Sequence, residues 1–108
     1  MGQTSYPKEK IQVLFLENIS ESAVRNFKIQ GYSQVTRINK ALTEDELIEA
    51  VRNVHILGIR SKTQITPRVL AAAKKLQAIG CFCIGVNQVD LEAARERGVV
   101  VFNAPYSN

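Results

Sequence analysis

The sequence predicts an α/β fold: a doubly wound, parallel five-stranded sheet in the order 2-1-3-4-5, with helices on both faces. Three observations carry that prediction. Five short apolar runs recur along the chain. Four segments between them place apolar residues at helical spacing. Each of those segments opens on Ser20, Thr43, Thr66 or Asp90, residues whose side chains cap helices. Strands that alternate with helices pair in parallel and are covered on both faces. Right-handed crossovers then favour the flavodoxin-like strand order.

Residues 1–9 are polar and read as a flexible N-terminal arm. The apolar run Ile11–Leu16 is the first strand. Ser20 caps a helix with Ala23, Val24 and Phe27 on its inner face, and Gly31 stops it. Val35–Ile38 alternates more weakly, which suggests an edge strand. Thr43 and Glu46 have capping-box spacing, with Leu42 and Leu47 placed as a staple. Leu47, Ile48 and Val51 follow as a buried stripe.

Val54–Ile59 is the third strand. Thr66-Pro67 pairs a cap with proline at the first helical position, where the missing N–H costs nothing. Val69, Leu70, Ala73 and Leu76 supply that helix's core face. Gln77–Phe82 is the fourth strand. Asp90 caps a helix that ends at Gly98, and Val99–Phe102 is a fifth strand, apolar on both faces. Residues 103–108 read as a loop or linker.

Composition bounds the function. The 108 residues are 45% apolar and 22% charged, which fits one soluble globular domain. Lys and Arg number 14 against 10 Asp and Glu, leaving +4. Those cations are scattered among carboxylates, with no basic helix or aromatic-interleaved strand, so no nucleic acid is expected as a partner. No apolar run approaches the ~20 residues of a membrane span, and no membrane partner is expected. Cys81 and Cys83, two residues apart, share one strand face and are poorly placed to bond each other. Two free thiols point to a cytoplasmic setting. The single histidine, His55, sits in an apolar run and reads as a core or strand-end residue; no metal site is expected.

In a sheet of this kind ligands bind beyond the carboxyl ends of the strands. That rule selects Glu17 and Asn18, then Arg60-Ser61-Lys62, then the loop around Gly85, then residues 103–108. Arg60, Ser61 and Lys62 offer a guanidinium fork, a hydroxyl and an ammonium in succession, a set suited to a carboxylate or phosphate. Taken alone, the same triplet also reads as a polar connection. Gly85 permits close backbone approach, and neighbouring N–H groups can cradle an anion; a tight turn before Asp90 is the simpler reading. No GxGxxG and no phosphate-loop sequence occurs. No histidine lies in these loops to act as a general base. The residues by themselves leave open a dehydrogenase part and a non-catalytic flavodoxin-like module that binds an anion or a partner.

Three stretches narrow the choice: Ile56-Leu-Gly-Ile-Arg-Ser-Lys-Thr63, Ala78-Ile-Gly-Cys-Phe-Cys-Ile-Gly-Val-Asn-Gln-Val-Asp90 and Gly98-Val-Val-Val-Phe-Asn-Ala-Pro-Tyr-Ser-Asn108. They closely resemble the D-2-hydroxyacid dehydrogenases, in particular the branch that acts on 3-phospho-D-glycerate, over residues 10–108. The resemblance implies NAD-dependent oxidation of 3-phospho-D-glycerate to 3-phosphooxypyruvate in L-serine biosynthesis. It implies that residues 10–102 are the N-terminal part of the substrate-binding domain and that 103–108 are a hinge toward an NAD-binding domain.

By motif, Arg60, Ser61, Lys62, Gly85 and Asn108 stand as substrate contacts, with Ile84 and Asn108 toward the cofactor. A related branch has an arginine for the phosphate where this chain has Cys81, and Lys62 is placed to compensate. No catalytic residue is assigned within this chain; the family's catalytic Arg, Glu and His fall outside it, so these residues alone are expected to be inactive. The partner is a small phosphorylated hydroxy acid, and the full-length form is expected to be a homo-oligomer. A returning helix lies outside this chain, so one sheet face or edge is expected to be under-covered and apolar. Another D-2-hydroxyacid dehydrogenase, with an unphosphorylated acid and a dispensable Lys62, remains the alternative.

Overall fold

The computed structural model describes residues 7–83 and 85–104. In chain order it forms β1 (Gln12–Phe15), α1 (Glu21–Ile29), β2 (Gln34–Arg37), α2 (Glu44–Ala50), β3 (Ile56–Ile59), α3 (Pro67–Ala72), β4 (Ala78–Cys81), α4 (Leu91–Glu96) and β5 (Val100–Asn103). The strands build one sheet in the order β2-β1-β3-β4-β5, every pair parallel. This is the expected topology. Within the segment read as an arm, Lys8–Lys10 makes one 3-10 turn, and the Lys8 ammonium donates to the Gln30 carbonyl at 3.1 Å.

Local chemistry starts each helix where the sequence places the start. Ser20 Oγ accepts the Ala23 N–H at 3.3 Å. Thr43 Oγ1 accepts the Glu46 N–H at 3.2 Å, while Glu46 Oε1 takes the Thr43 N–H at 2.9 Å, completing the capping box. Thr66 Oγ1 takes the Val69 N–H at 3.3 Å, and Asp90 Oδ1 takes the Ala93 N–H at 3.0 Å. Each bond satisfies an amide that the first helical turn leaves open. Gly31 and Gly98 end α1 and α4 at φ +107° and +73°, a left-handed step that only glycine makes without strain.

Alternation along the strands divides the core into two layers. Leu14, Leu57, Ile59, Ile79 and Cys81 face α2, α3 and α4, where Leu47, Val51, Val69, Leu70 and Ala94 are buried. Val13, Phe15 and Phe82 face the other way, toward Ala23 and Phe27 of α1. Three helices thus cover one face; among the described residues α1 alone covers the other. On the α1 face the rings of Phe15 and Phe82 lie close over Gly58, where an added Cβ would stand 2.8 Å from Phe15 Cε1 and 3.0 Å from Phe82 Cε1. A β-carbon there would force the rings apart, so glycine is the residue that lets them pack.

The edge of the sheet at β5 is apolar and under-covered. The fifth strand is apolar on both faces, but it is not buried on both: Val100 is 62% and Phe102 38% exposed. β5 is the last strand of the sheet, and α1 lies over the far side, against β2.

Candidate functional site

The loops that follow β1, β3 and β4 gather at the carboxyl ends of the strands, and hydrogen bonds among the described residues fix them in place. The chain leaving β1 turns through Glu17 and Asn18, both left-handed at φ +61° and +57°. Non-glycine residues adopt this conformation at some cost, so the surroundings must hold it. Glu17 N–H donates to the Lys40 carbonyl at 3.0 Å and Asn18 N–H to the Ile38 carbonyl at 3.2 Å.

The Glu17 side chain then reaches across to β3. Its carboxylate accepts the N–H groups of Arg60 at 2.8 Å, Lys62 at 2.9 Å and Thr63 at 3.0 Å. Partial burial pushes its pKa up, but the Thr63 hydroxyl and those three amides outweigh burial, and the carboxyl is held below the usual glutamate range.

This leaves the cations of the loop unspent. Arg60 is half-buried, and Ser61 and Lys62 are exposed. Arg37, Lys40, Arg52 and Arg68 all pair with carboxylates. Among the described residues the Arg60 guanidinium and the Lys62 ammonium have no such partner.

The loop after β4 complements them. Asn103 Nδ2 donates to the Cys83 carbonyl at 3.0 Å, and the Cys83 thiol donates to the Gly85 carbonyl at 3.1 Å. Gln88 Nε2 donates to the Arg60 carbonyl at 2.7 Å and to Cys83 Sγ at 3.0 Å. The Cys83 and Gly85 carbonyls are therefore occupied, while the Gly85 and Val86 N–H groups meet no acceptor among the described residues. Gly85 is exposed, and the nearest atom to an added Cβ is Asn87 Nδ2 at 3.9 Å, so a ligand can approach its backbone. The arrangement can hold an anion between a guanidinium fork, an ammonium and open amides. Ile84 and Asn108, expected at this site, lie outside the described residues.

The other titratable groups are structural. Cys81 and Cys83 are free thiols; Cys81 lies in the core, and burial, with Cys83 beside it, pushes its thiol up to about 11. Being buried, Cys81 offers no surface to a ligand. His55 is 5% exposed just before β3, at the opposite end of the sheet, and its Nδ1 accepts the Gln12 N–H at 2.9 Å. Burial and the Lys75 ammonium lower its pKa, so it is neutral at pH 7. A groove of about 710 Å³ opens at that end, lined among others by Lys10, Gln34, Asn53 and Lys75. Concavity favours that groove, but the convergent unpaired donors of the carboxyl-end loops carry more chemical information. Among the described residues no cluster of His, Cys, Asp and Glu could hold a metal.

The structure thus brings Arg60, Ser61, Lys62 and Gly85 to one end of the sheet. Sequence reasoning picked Glu17 for its position, not for its role as acceptor for the β3 loop. It did not single out Gln88, and it took Asn103 only as part of residues 103–108 without a role; their partners lie 28 and 20 residues away. No local pattern announces such contacts; a glutamine just before a helix cap is the nearest available signal.

Comparison with known proteins shows the family and the fold. A family model described as the catalytic domain of D-isomer specific 2-hydroxyacid dehydrogenases matches residues 13–108. The chain is 54% identical over 105 residues to the D-3-phosphoglycerate dehydrogenase of Dictyostelium discoideum, covering 97% of this chain and 26% of that protein. It is 46% identical over 108 residues to the D-3-phosphoglycerate dehydrogenase of Escherichia coli K12, covering 100% of this chain and 26% of that one. The chain therefore spans about a quarter of the length of these curated relatives. The same fold occurs in the solved structure of the NAD+-bound 3-phosphoglycerate dehydrogenase of Entamoeba histolytica, at TM-score 0.73 and 22% identity, over 88% of this chain and 33% of that one. No helix among the described residues is long and apolar enough to cross a membrane.

Proposed function

Because the chain belongs to the D-isomer specific 2-hydroxyacid dehydrogenases, as part of their catalytic domain, we propose that it forms the acid-binding part of an enzyme that oxidises 3-phospho-D-glycerate to 3-phosphooxypyruvate with NAD, at the head of L-serine biosynthesis. The observation that carries the reading is that Arg60 and Lys62, without a carboxylate partner among the described residues, and the Gly85 and Val86 amides, without an acceptor among them, lie in the two neighbouring loops after β3 and β4. Names carried by the D. discoideum and E. coli relatives support the substrate.

In this reading the Arg60 fork takes paired oxygens of the substrate, Lys62 meets the phosphate as a point charge, and Ser61 adds a hydroxyl. The Gly85 backbone receives the carboxylate. Ile84 and Asn108 enter on the family resemblance, Ile84 toward the cofactor and Asn108 toward substrate and cofactor. NAD supplies the hydride acceptor when bound. The described residues fit the acid and one edge of that cofactor: their loops lack GxGxxG, while Gly85 leaves room for close approach. These residues bind and orient, which supplies the proximity part of catalysis. They do not take the proton in this reading, because the chain's one histidine is buried and committed to Gln12 at the other end of β3. The proton acceptor and the dinucleotide loop are assigned to the remaining length of the enzyme, and residues 103–108 to the hinge toward it. The full-length protein is a cytoplasmic homo-oligomer in this reading.

The test is NAD reduction by the full-length protein with 3-phospho-D-glycerate and with unphosphorylated 2-hydroxy acids. The phosphorylated acid is expected to be preferred. Lys62→Ala should raise its KM about tenfold, roughly 1.4 kcal/mol, and leave the KM of an unphosphorylated acid unchanged. An equal rise for both acids would remove the phosphate from Lys62. Preference for an unphosphorylated acid would move the enzyme to another branch, and no NAD reduction with any acid would make the domain a binding module.

A further inference from the structure

We propose that Gln88 is a positioning residue of the acid site: its side-chain amide locks the loop after β3 to the loop after β4 and so sets the separation of the Arg60 guanidinium from the open Gly85 amide. The proposal rests on reading these loops as the place where the acid binds.

The sheet ladder between β3 and β4 ends where Phe82 N–H meets the Ile59 carbonyl at 2.8 Å. Beyond that point no backbone hydrogen bond joins residues 60–64 to residues 83–87 among the described residues. The backbone joins the two segments again only at Ile65, and within the gap Gln88 is the side chain that spans the two loops among the described residues. Gln88 Nε2 carries two protons and places both, one on the Arg60 carbonyl at 2.7 Å and one on Cys83 Sγ at 3.0 Å. Cys83 passes the connection on, since its thiol donates to the Gly85 carbonyl at 3.1 Å.

Gln88 is itself held. It is 8% exposed, its backbone carbonyl accepts the Ile65 N–H at 2.8 Å, and Asp90 N–H returns to the Ile65 carbonyl at 3.0 Å. A buried primary amide with both protons placed is costly to leave unsatisfied, so the bridge has a defined geometry. An acid gripped at two points is sensitive to the distance between them, and a displacement near 1 Å can cost about a hundredfold.

The test uses the full-length protein with Gln88→Leu, which removes both donors, and Gln88→Glu, which keeps the shape. Gln88→Leu should raise the KM for 3-phospho-D-glycerate about ten- to a hundredfold and leave the KM for NAD within about twofold. Gln88→Glu adds a readout that simple loss of packing does not move. Protonated, the introduced carboxyl can still donate to the Arg60 carbonyl; ionised, it repels it. The ratio of its acid KM to that of wild type should therefore climb as pH rises through that titration, while the thermal midpoint is recorded alongside. Should Gln88→Leu fail to fold, the pH series on Gln88→Glu decides by itself. Acid KM values within twofold of wild type for the folded variants, with no pH trend, would overturn the proposal. If wild type does not turn the acid over, the reaction reading falls; the positioning role is then decided by the dissociation constant of 3-phospho-D-glycerate, where the same ratios are expected and equal affinities would overturn it.

Discussion

At the amino end of β3 the His55 ring accepts one backbone N–H, from Gln12 at 2.9 Å. At the carboxyl end the Glu17 carboxylate accepts three, from Arg60, Lys62 and Thr63. Both are side-chain acceptors that satisfy amides where the ladder stops. They differ in what they leave over. The neutral ring joins two strand ends in a buried seam. The carboxylate spends its charge on backbone amides, so the side chains of the residues it grips, Arg60 and Lys62, stay unpaired among the described residues and available to an anion. A scaffold bond and a binding site can thus use the same residues, with main chain serving one and side chain the other.

The sharpest way to break this comparison is Glu17→Ala. Three donors lose a charged acceptor, and the expected loss is about 3 kcal/mol in urea unfolding, with a raised acid KM in the full-length enzyme. A loss below about 1 kcal/mol would mean the loop supports itself and the two ends do not differ in kind.

Acid titration sharpens the comparison next. His55 binds its proton more weakly folded than unfolded. Its contribution is therefore complete above the free-histidine value of about 6.5 and declines as pH falls through it toward the lowered folded value. The slope approaches at most about 1.4 kcal/mol per pH unit. Glu17 is also lowered, so its contribution is complete above about 4.3 and lost only as pH falls further. The amino end should loosen first and the carboxyl end second. His55→Asn, which keeps an acceptor for Gln12, should remove the upper limb of the stability–pH curve and leave the lower one. An unchanged upper limb would assign it to another group.

The smallest effect serves as a reference. Thr43→Ala removes a capping box that touches neither end of β3 and should cost about 1 kcal/mol without altering the acid KM. A changed KM would show that α2 belongs to the site.

Much of the fold was legible because it is written in short-range chemistry. Ser20, Thr43, Thr66 and Asp90 cap within three residues, so the sequence contains both partners of each bond. The apolar runs located all five strands, and the weak alternation of Val35–Ile38 marked β2 as an edge. The order 2-1-3-4-5 also placed β5 at the other edge, but how far Val100 and Phe102 stay exposed there depends on how far the helices reach, which the strand's own residues do not tell. The site divided along the same line. Arg60, Ser61, Lys62 and Gly85 were found because the rule that ligands bind at strand carboxyl ends needs only strand order. The work of Glu17, Gln88 and Asn103 was not found, since each bonds residues 20 to 46 positions away.

The sequence by itself determined the strands, their caps, the parallel topology and the loop that displays the cations, because periodicity and capping act within a turn or two of chain. Only the tertiary structure decided which carbonyls and amides those loops would use up and which they would leave to a ligand. That outcome depends on side chains meeting across strands, where the geometry of the closed sheet sets the distances.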